Sequence, residues 1–83
     1  MIDVLYFAWL RERIGAPKER LETGAETVAD LIEELKGRSE AHALAFSDVS
    51  AVRAALDQEL VEDMSAPIGG AREVAFFPPM TGG

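Results

Sequence analysis

Two consecutive prolines, Pro78-Pro79, come directly after the apolar run Glu73-Val74-Ala75-Phe76-Phe77, and that junction constrains the fold more than any other feature of the chain. Proline has no N–H to give to a sheet ladder and favours the extended polyproline conformation. A strand over 73–77 therefore has to stop there, and the residues beyond it leave the sheet. The remainder, Met80-Thr81-Gly82-Gly83, carries no charged side chain. From Pro78 to Gly83 the chain reaches about 20 Å when extended at roughly 3.3 Å per residue, enough to enter a partner's pocket. The expectation is a folded domain over residues 1–77 and an extended, flexible C-terminal tail over 78–83.

An 83-residue chain makes one small domain, of a size that buries only about 60–65% of its unfolded surface. It leaves no room for a deep private active site. Apolar residues are 48% of the sequence, enough for a real core. Eight Lys and Arg against fifteen Asp and Glu give a net charge of −7, which repels phosphate backbones and anionic membrane surfaces. Nucleic acid and membrane partners are not expected. No apolar run approaches the roughly 20 residues of a membrane span, and the N-terminus lacks the pattern of a signal peptide. A cytoplasmic location is the resulting expectation. The chain has no cysteine, so disulfides, thiolate metal sites and cysteine nucleophiles are excluded. With a single histidine, His42, no metal site is expected, and His42 itself reads as a surface or packing residue.

Periodicity places the elements. Ile2 to Phe7 reads as a first strand, with Ile2, Val4 and Tyr6 on one face and Asp3, Leu5 and Phe7 on the other. Ala8 to Ile14 suits a short helical turn closed by Gly15-Ala16-Pro17. Lys18 to Thr23 reads as a strand paired with the first. Thr27 opens the clearest helix, with Val28, Leu31, Ile32 and Leu35 on one stripe and an end near Gly37. Ser39 to Phe46 suits a second short helix or a compact loop. Ser50 to Leu56, the turn Asp57-Gln58 and Glu59 to Glu62 read as a strand, a tight turn and a returning strand. Ser65 to Gly70 is turn chemistry, and Glu73 to Phe77 is the last strand. A sheet with the one main helix across a single face is the simplest way to bury the stripe. That predicts an α+β domain of the ubiquitin-like β-grasp type, with first and last strands side by side in the middle of a mixed sheet.

Strand parity then exposes an inconsistency between residue type and face. Glu73 puts Ala75 and Phe77 on the solvent side, Asp3 does the same for Phe7, and Glu62 for Leu60. Phe7, Leu60 and Phe77 would form an exposed apolar patch beside the root of the tail, as expected of a protein-binding surface.

The two glycines carry the chemical reading. A terminal carboxylate is a poor electrophile until adenylation by ATP gives it a leaving group. Glycine at 82 and 83 lets the tail thread a narrow channel and leaves the terminal carbonyl open to attack. Displacement of AMP by a sulfur nucleophile would make a thiocarboxylate, which a cysteine-free chain does not divert internally. Hydrolysis after delivery would restore the carboxylate.

The ending Glu73-Val74-Ala75-Phe76-Phe77-Pro78-Pro79-Met80-Thr81-Gly82-Gly83, with Val4-Leu5-Tyr6-Phe7-Ala8 and Leu10-Arg11-Glu12 near the start, resembles the MoaD-type small subunits of molybdopterin synthase, a ubiquitin-like sulfur-carrier family. The resemblance runs nearly the whole length. It implies that Gly83 is adenylated by a MoeB-type activating enzyme that uses ATP, with no cofactor held permanently by this chain. It implies too that the resulting thiocarboxylate enters a MoaE-type large subunit, in a heterotetramer, and donates sulfur to cyclic pyranopterin monophosphate to build the molybdopterin dithiolene. By the same resemblance the active site lies mainly in the large subunit, while this chain supplies Gly83, with Gly82 as its steric licence. Phe7, Leu60, Phe77, Pro78, Pro79, Met80 and Thr81 would contact the partner. Two positions depart from the family pattern: Asp57 stands where the turn usually carries asparagine, and Ala71-Arg72 replaces Gly-Asp.

Two alternatives stay open on sequence alone. One is a sulfur carrier of another, thiamine-type pathway. The other is a ubiquitin-like modifier conjugated to lysines through Gly83, which shares the same activation.

Overall fold

The computed structural model describes residues 1–79. Five strands form one mixed sheet in the order β2-β1-β5-β3-β4. They are β1 (Ile2–Tyr6), β2 (Lys18–Leu21), β3 (Arg53–Leu56), β4 (Glu59–Leu60) and β5 (Glu73–Phe77). β1 and β5 run parallel at the centre, Asp3 opposite Glu73 and Tyr6 opposite Phe76. All other pairings are antiparallel. Three helices, α1 (Ala8–Ile14), α2 (Val28–Lys36) and α3 (Glu40–Ala45), accompany the sheet.

The inner face of the sheet is supplied by alternate residues, as the two-residue period requires. Val4, Tyr6, Val74 and Phe76 are each at most 1% exposed. Against them lies α2, whose Val28, Leu31, Ile32 and Leu35 form a stripe of the same burial. Thr27 caps this helix through Oγ1, which accepts the Asp30 N–H at 3.1 Å. Two further N-terminal amides of α2 are satisfied by a loop: Val28 donates to the Ala66 carbonyl and Ala29 to that of Met64. An aromatic trio closes the core, with Phe46 edge-on to Phe76 at 5.0 Å and Tyr6 6.3 Å from Phe46.

Several boundaries differ from the sequence reading, each for a local reason. The stretch after Ser39, expected as a short helix or a compact loop, is the helix, trimmed to Glu40–Ala45, because the Ser39 hydroxyl accepts the His42 N–H and caps it. The strand expected from Ser50 starts at Arg53, since Asp48 caps a 3₁₀ turn at Val49–Ala51. The returning strand expected to reach Glu62 ends at Leu60. After Val61, which still donates to Ala54, the chain departs to make the loop over α2. Likewise β2 ends at Leu21 rather than Thr23.

Candidate docking site at the root of the tail

Because β1 and β5 are parallel neighbours, their C-terminal ends emerge together, and the Phe7 N–H donates to the Phe76 carbonyl at 3.0 Å. On the outer face the register sets residues in rows. Lys18, Leu5, Ala75, Ala55 and Leu60 make one row across the five strands, and Phe77 faces Arg53 in the next. Asp3 and Glu73 pair at the opposite end of the same strands. The outer face is thus charged where the central strands begin and apolar where the tail departs.

At that apolar end Phe7, Ala8, Ala75, Phe77 and Pro78 line an open groove of about 440 Å³. Phe7 is 43% exposed, while Phe77, Pro78 and Pro79 are half-buried. Ala75, one row back from Phe77 on the same face and flanked by Leu5 and Ala55, fills little of that face and leaves the groove open. Leu60 is 65% exposed on the same side but does not line the groove. Ala55 on β3 separates it from β5, a gap of two strand spacings, roughly 10 Å. The expected triad is therefore a pair, Phe7 with Phe77, and an outlying Leu60. Met80, Thr81, Gly82 and Gly83 lie outside the described residues.

Sequence reasoning missed two groove residues. Ala75 was legible, since it shares parity with Phe77. Ala8 was not: its φ of +53° is left-handed, a conformation costing a non-glycine residue about 1 kcal/mol or more. This sharp reversal throws α1 back over the sheet, with Leu10 donating to the Phe7 carbonyl at 3.1 Å and its side chain fully buried.

Asp57 gives the departure from the family pattern a physical meaning. The turn is left-handed at Asp57 (φ +49°) and Gln58 (φ +73°). Asp57 Oδ1 accepts the backbone N–H groups of Arg72 and Glu73 at 2.9 and 3.0 Å, and the Asp57 N–H donates to the Glu73 carbonyl. The hairpin turn thereby clamps the first residue of β5, the strand that carries the tail.

His42 is buried, as a packing residue, but it is also the hub of a polar cluster. Its Nε2 lies 2.7 Å from Glu19 Oε1, its Nδ1 2.7 Å from Ser39 Oγ, and the Tyr6 hydroxyl donates to the same Glu19 oxygen at 2.7 Å. Arg38 reaches the other Glu19 oxygen at 3.7 Å. Burial pushes the Glu19 carboxyl up, but the hydrogen bonds from His42 and Tyr6 and the nearby positive charge outweigh it, leaving Glu19 below the usual carboxylate range. Burial, then the bond to Glu19, raises the Tyr6 phenol well above its ordinary value. Trp9 covers the core edge, with the Arg13 guanidinium 4.9 Å above its ring. Among the described residues no group of carboxylates and histidine could hold a metal ion.

A mixed five-stranded sheet with parallel central strands, wrapped on α2, defines a ubiquitin-like β-grasp domain. Solved structures share it. The protein described as molybdopterin converting factor subunit 1 from Pyrococcus furiosus superposes with a TM-score of 0.69 at 31% identity, over 95% of this chain and 97% of that one. Small archaeal modifier protein 1 from Haloferax volcanii gives 0.72 at 22% identity, over 95% and 97%. The chain belongs to the ThiS family, whose model matches residues 4–83. Along their entire lengths it is 40% identical to the molybdopterin synthase sulfur carrier subunit of Escherichia coli and 39% identical to that of Haemophilus influenzae.

Proposed function

We propose that the chain is the sulfur carrier subunit of a molybdopterin synthase and acts through Gly83. One observation carries the reading: the last strand lies beside the first and delivers Phe77-Pro78-Pro79 out of the sheet at the lip of an apolar groove. Such a layout suits a domain that docks by its face and works through its tail. The full-length likeness to two sulfur carrier subunits supports molybdopterin synthase over a thiamine-type pathway.

In this reading an oxygen of the Gly83 carboxylate attacks the α-phosphate of ATP on a MoeB-type activating enzyme, expelling pyrophosphate. Sulfide then attacks the acyl carbon and AMP departs, leaving a thiocarboxylate. The tail enters a MoaE-type large subunit, with Phe7 and Phe77 seated against it, and the thiocarboxylate sulfur attacks a carbon of cyclic pyranopterin monophosphate, displacing an oxygen substituent and leaving the acyl group joined to the pterin through sulfur. Hydrolysis of the acyl group returns Gly83 to its carboxylate. The large subunit supplies the catalytic cations and the substrate pocket, in a heterotetramer, and the chemistry belongs in the cytoplasm. Among the described residues no helix is long and apolar enough to cross a membrane.

The modifier reading uses the same activation, but a 22% likeness to an archaeal modifier protein speaks for the fold alone. The experiment that separates them tracks the fate of activated Gly83: release of sulfur to the pterin with the carboxylate regenerated supports the carrier, and isopeptide bonds to lysines contradict it.

A further inference from the structure

Arg53 occupies an unusual electrostatic position. It is exposed, directly opposite Phe77 in the strand register, on the outer face beside the groove. Its Nη1 donates to the carbonyl oxygens of Ser50 and Val52 at 3.4 and 3.3 Å, both neutral acceptors. No carboxylate lies within 4 Å of it among the described residues, in a chain with fifteen acids to eight Lys and Arg. The other cations on this face are already engaged: Lys18 and Arg20 both reach Asp3, at 4.0 and 3.1 Å. Asp3 and Glu73 sit four residues back along the strands from Phe7 and Phe77, roughly 13 Å away. Among the described residues, the rim of the groove thus carries a guanidinium without a counter-charge.

We propose that Arg53 is a specificity-determining contact, and that the protein surface covering the groove of Phe7, Ala8, Ala75, Phe77 and Pro78 presents a carboxylate to it. This contact rests on the reading of the groove as the docking face of a sulfur carrier. An apolar centre with a charged rim is the usual layout of a protein interface. Guanidinium matches carboxylate through two parallel N–H···O bonds, and among the described residues only Nη1 of Arg53 is engaged, which leaves Nη2 and Nε for that purpose. A nucleotide phosphate is the other anion an arginine would take. The groove argues against it: Arg53 borders Phe77, whereas a nucleotide joined at Gly83 lies six residues farther along the chain.

The test is binding of the intact chain to the molybdopterin synthase large subunit of the same organism, by calorimetry at low and high salt. Wild type is compared with Phe77→Ala, Arg53→Gln and Arg53→Glu. The expectation is that Phe77→Ala weakens binding at least about 10-fold. Arg53→Gln should weaken it less, and Arg53→Glu by about 10- to 100-fold with a reversed salt dependence. A weakened Phe77→Ala with an unchanged Arg53→Glu overturns the carboxylate contact and leaves the groove reading intact. Unchanged binding by Phe77→Ala overturns the groove reading, and the contact proposal with it. Unchanged binding by Arg53→Glu combined with a raised KM for ATP during adenylation assigns Arg53 to a phosphate and also overturns the proposal.

Discussion

Asp57 bonds the backbone of Arg72 and Glu73 from across the β3–β4 turn, so its side chain matters although it is exposed. Replacing it with alanine removes two hydrogen bonds to a charged acceptor and should cost about 1–3 kcal/mol of stability. Asp57→Asn, which keeps the accepting oxygen, should recover most of that in a urea titration. If alanine and asparagine behave alike, the clamp is not what holds β5. Gly82 belongs to the same scale. The core is built between Ile2 and Phe76, so Gly82→Val or deletion of Gly83 should leave the melting temperature unchanged while abolishing sulfur transfer. Retained transfer in both variants would contradict the role given to the tail.

Among the elements, α2 was the most legible, because four apolar residues at helical spacing and a capping threonine say the same thing. Thr27→Ala should cost about 1 kcal/mol, or about 4–8 °C in a domain this small, measured by calorimetry. β1 and β5 were legible too, since their alternation is clean and Pro78 ends the second. The start of β3 and the ends of β4 and β2 were not. Their limits are set by which partner runs out first, and Val61 shows how: it completes a ladder bond to Ala54 and the chain then leaves to cap α2. A sequence window sees the apolar Val61 and not the helix that draws the chain away. The groove divides the same way. Phe7 and Phe77 emerge from strand parity once β1 and β5 are neighbours, but the distance of Leu60 depends on β3 lying between. The left-handed backbone at Ala8 carries no residue signal at all.

For the whole molecule the acid limb of stability should bear the mark of one cluster. Glu19, held below the usual carboxylate range by His42 and Tyr6, joins β2 to α3 and β1. A carboxyl whose folded pKa is depressed contributes stability above its unfolded value, about 4.3, and loses it as pH falls through the folded value. Wild type should therefore be more stable than Glu19→Gln at neutral pH, with the gap closing as pH drops below about 4. A gap independent of pH would show that the cluster acts by packing alone. Tyr6 adds an alkaline edge: its raised phenol contributes below about 10, and that contribution is lost as pH rises further. In the proposed function, a domain of this size keeps its chemistry at the end of the chain and lends its sheet face to a partner, and the fold is a handle for the last residue.

The most direct test of that claim is the intact mass of the chain after incubation with a MoeB-type activating enzyme, ATP and sulfide, with fragmentation to locate any change. Exchange of one terminal oxygen for sulfur at Gly83 is the predicted result. An unchanged mass, with an enzyme that activates an authentic sulfur carrier subunit in the same assay, would contradict the carrier function.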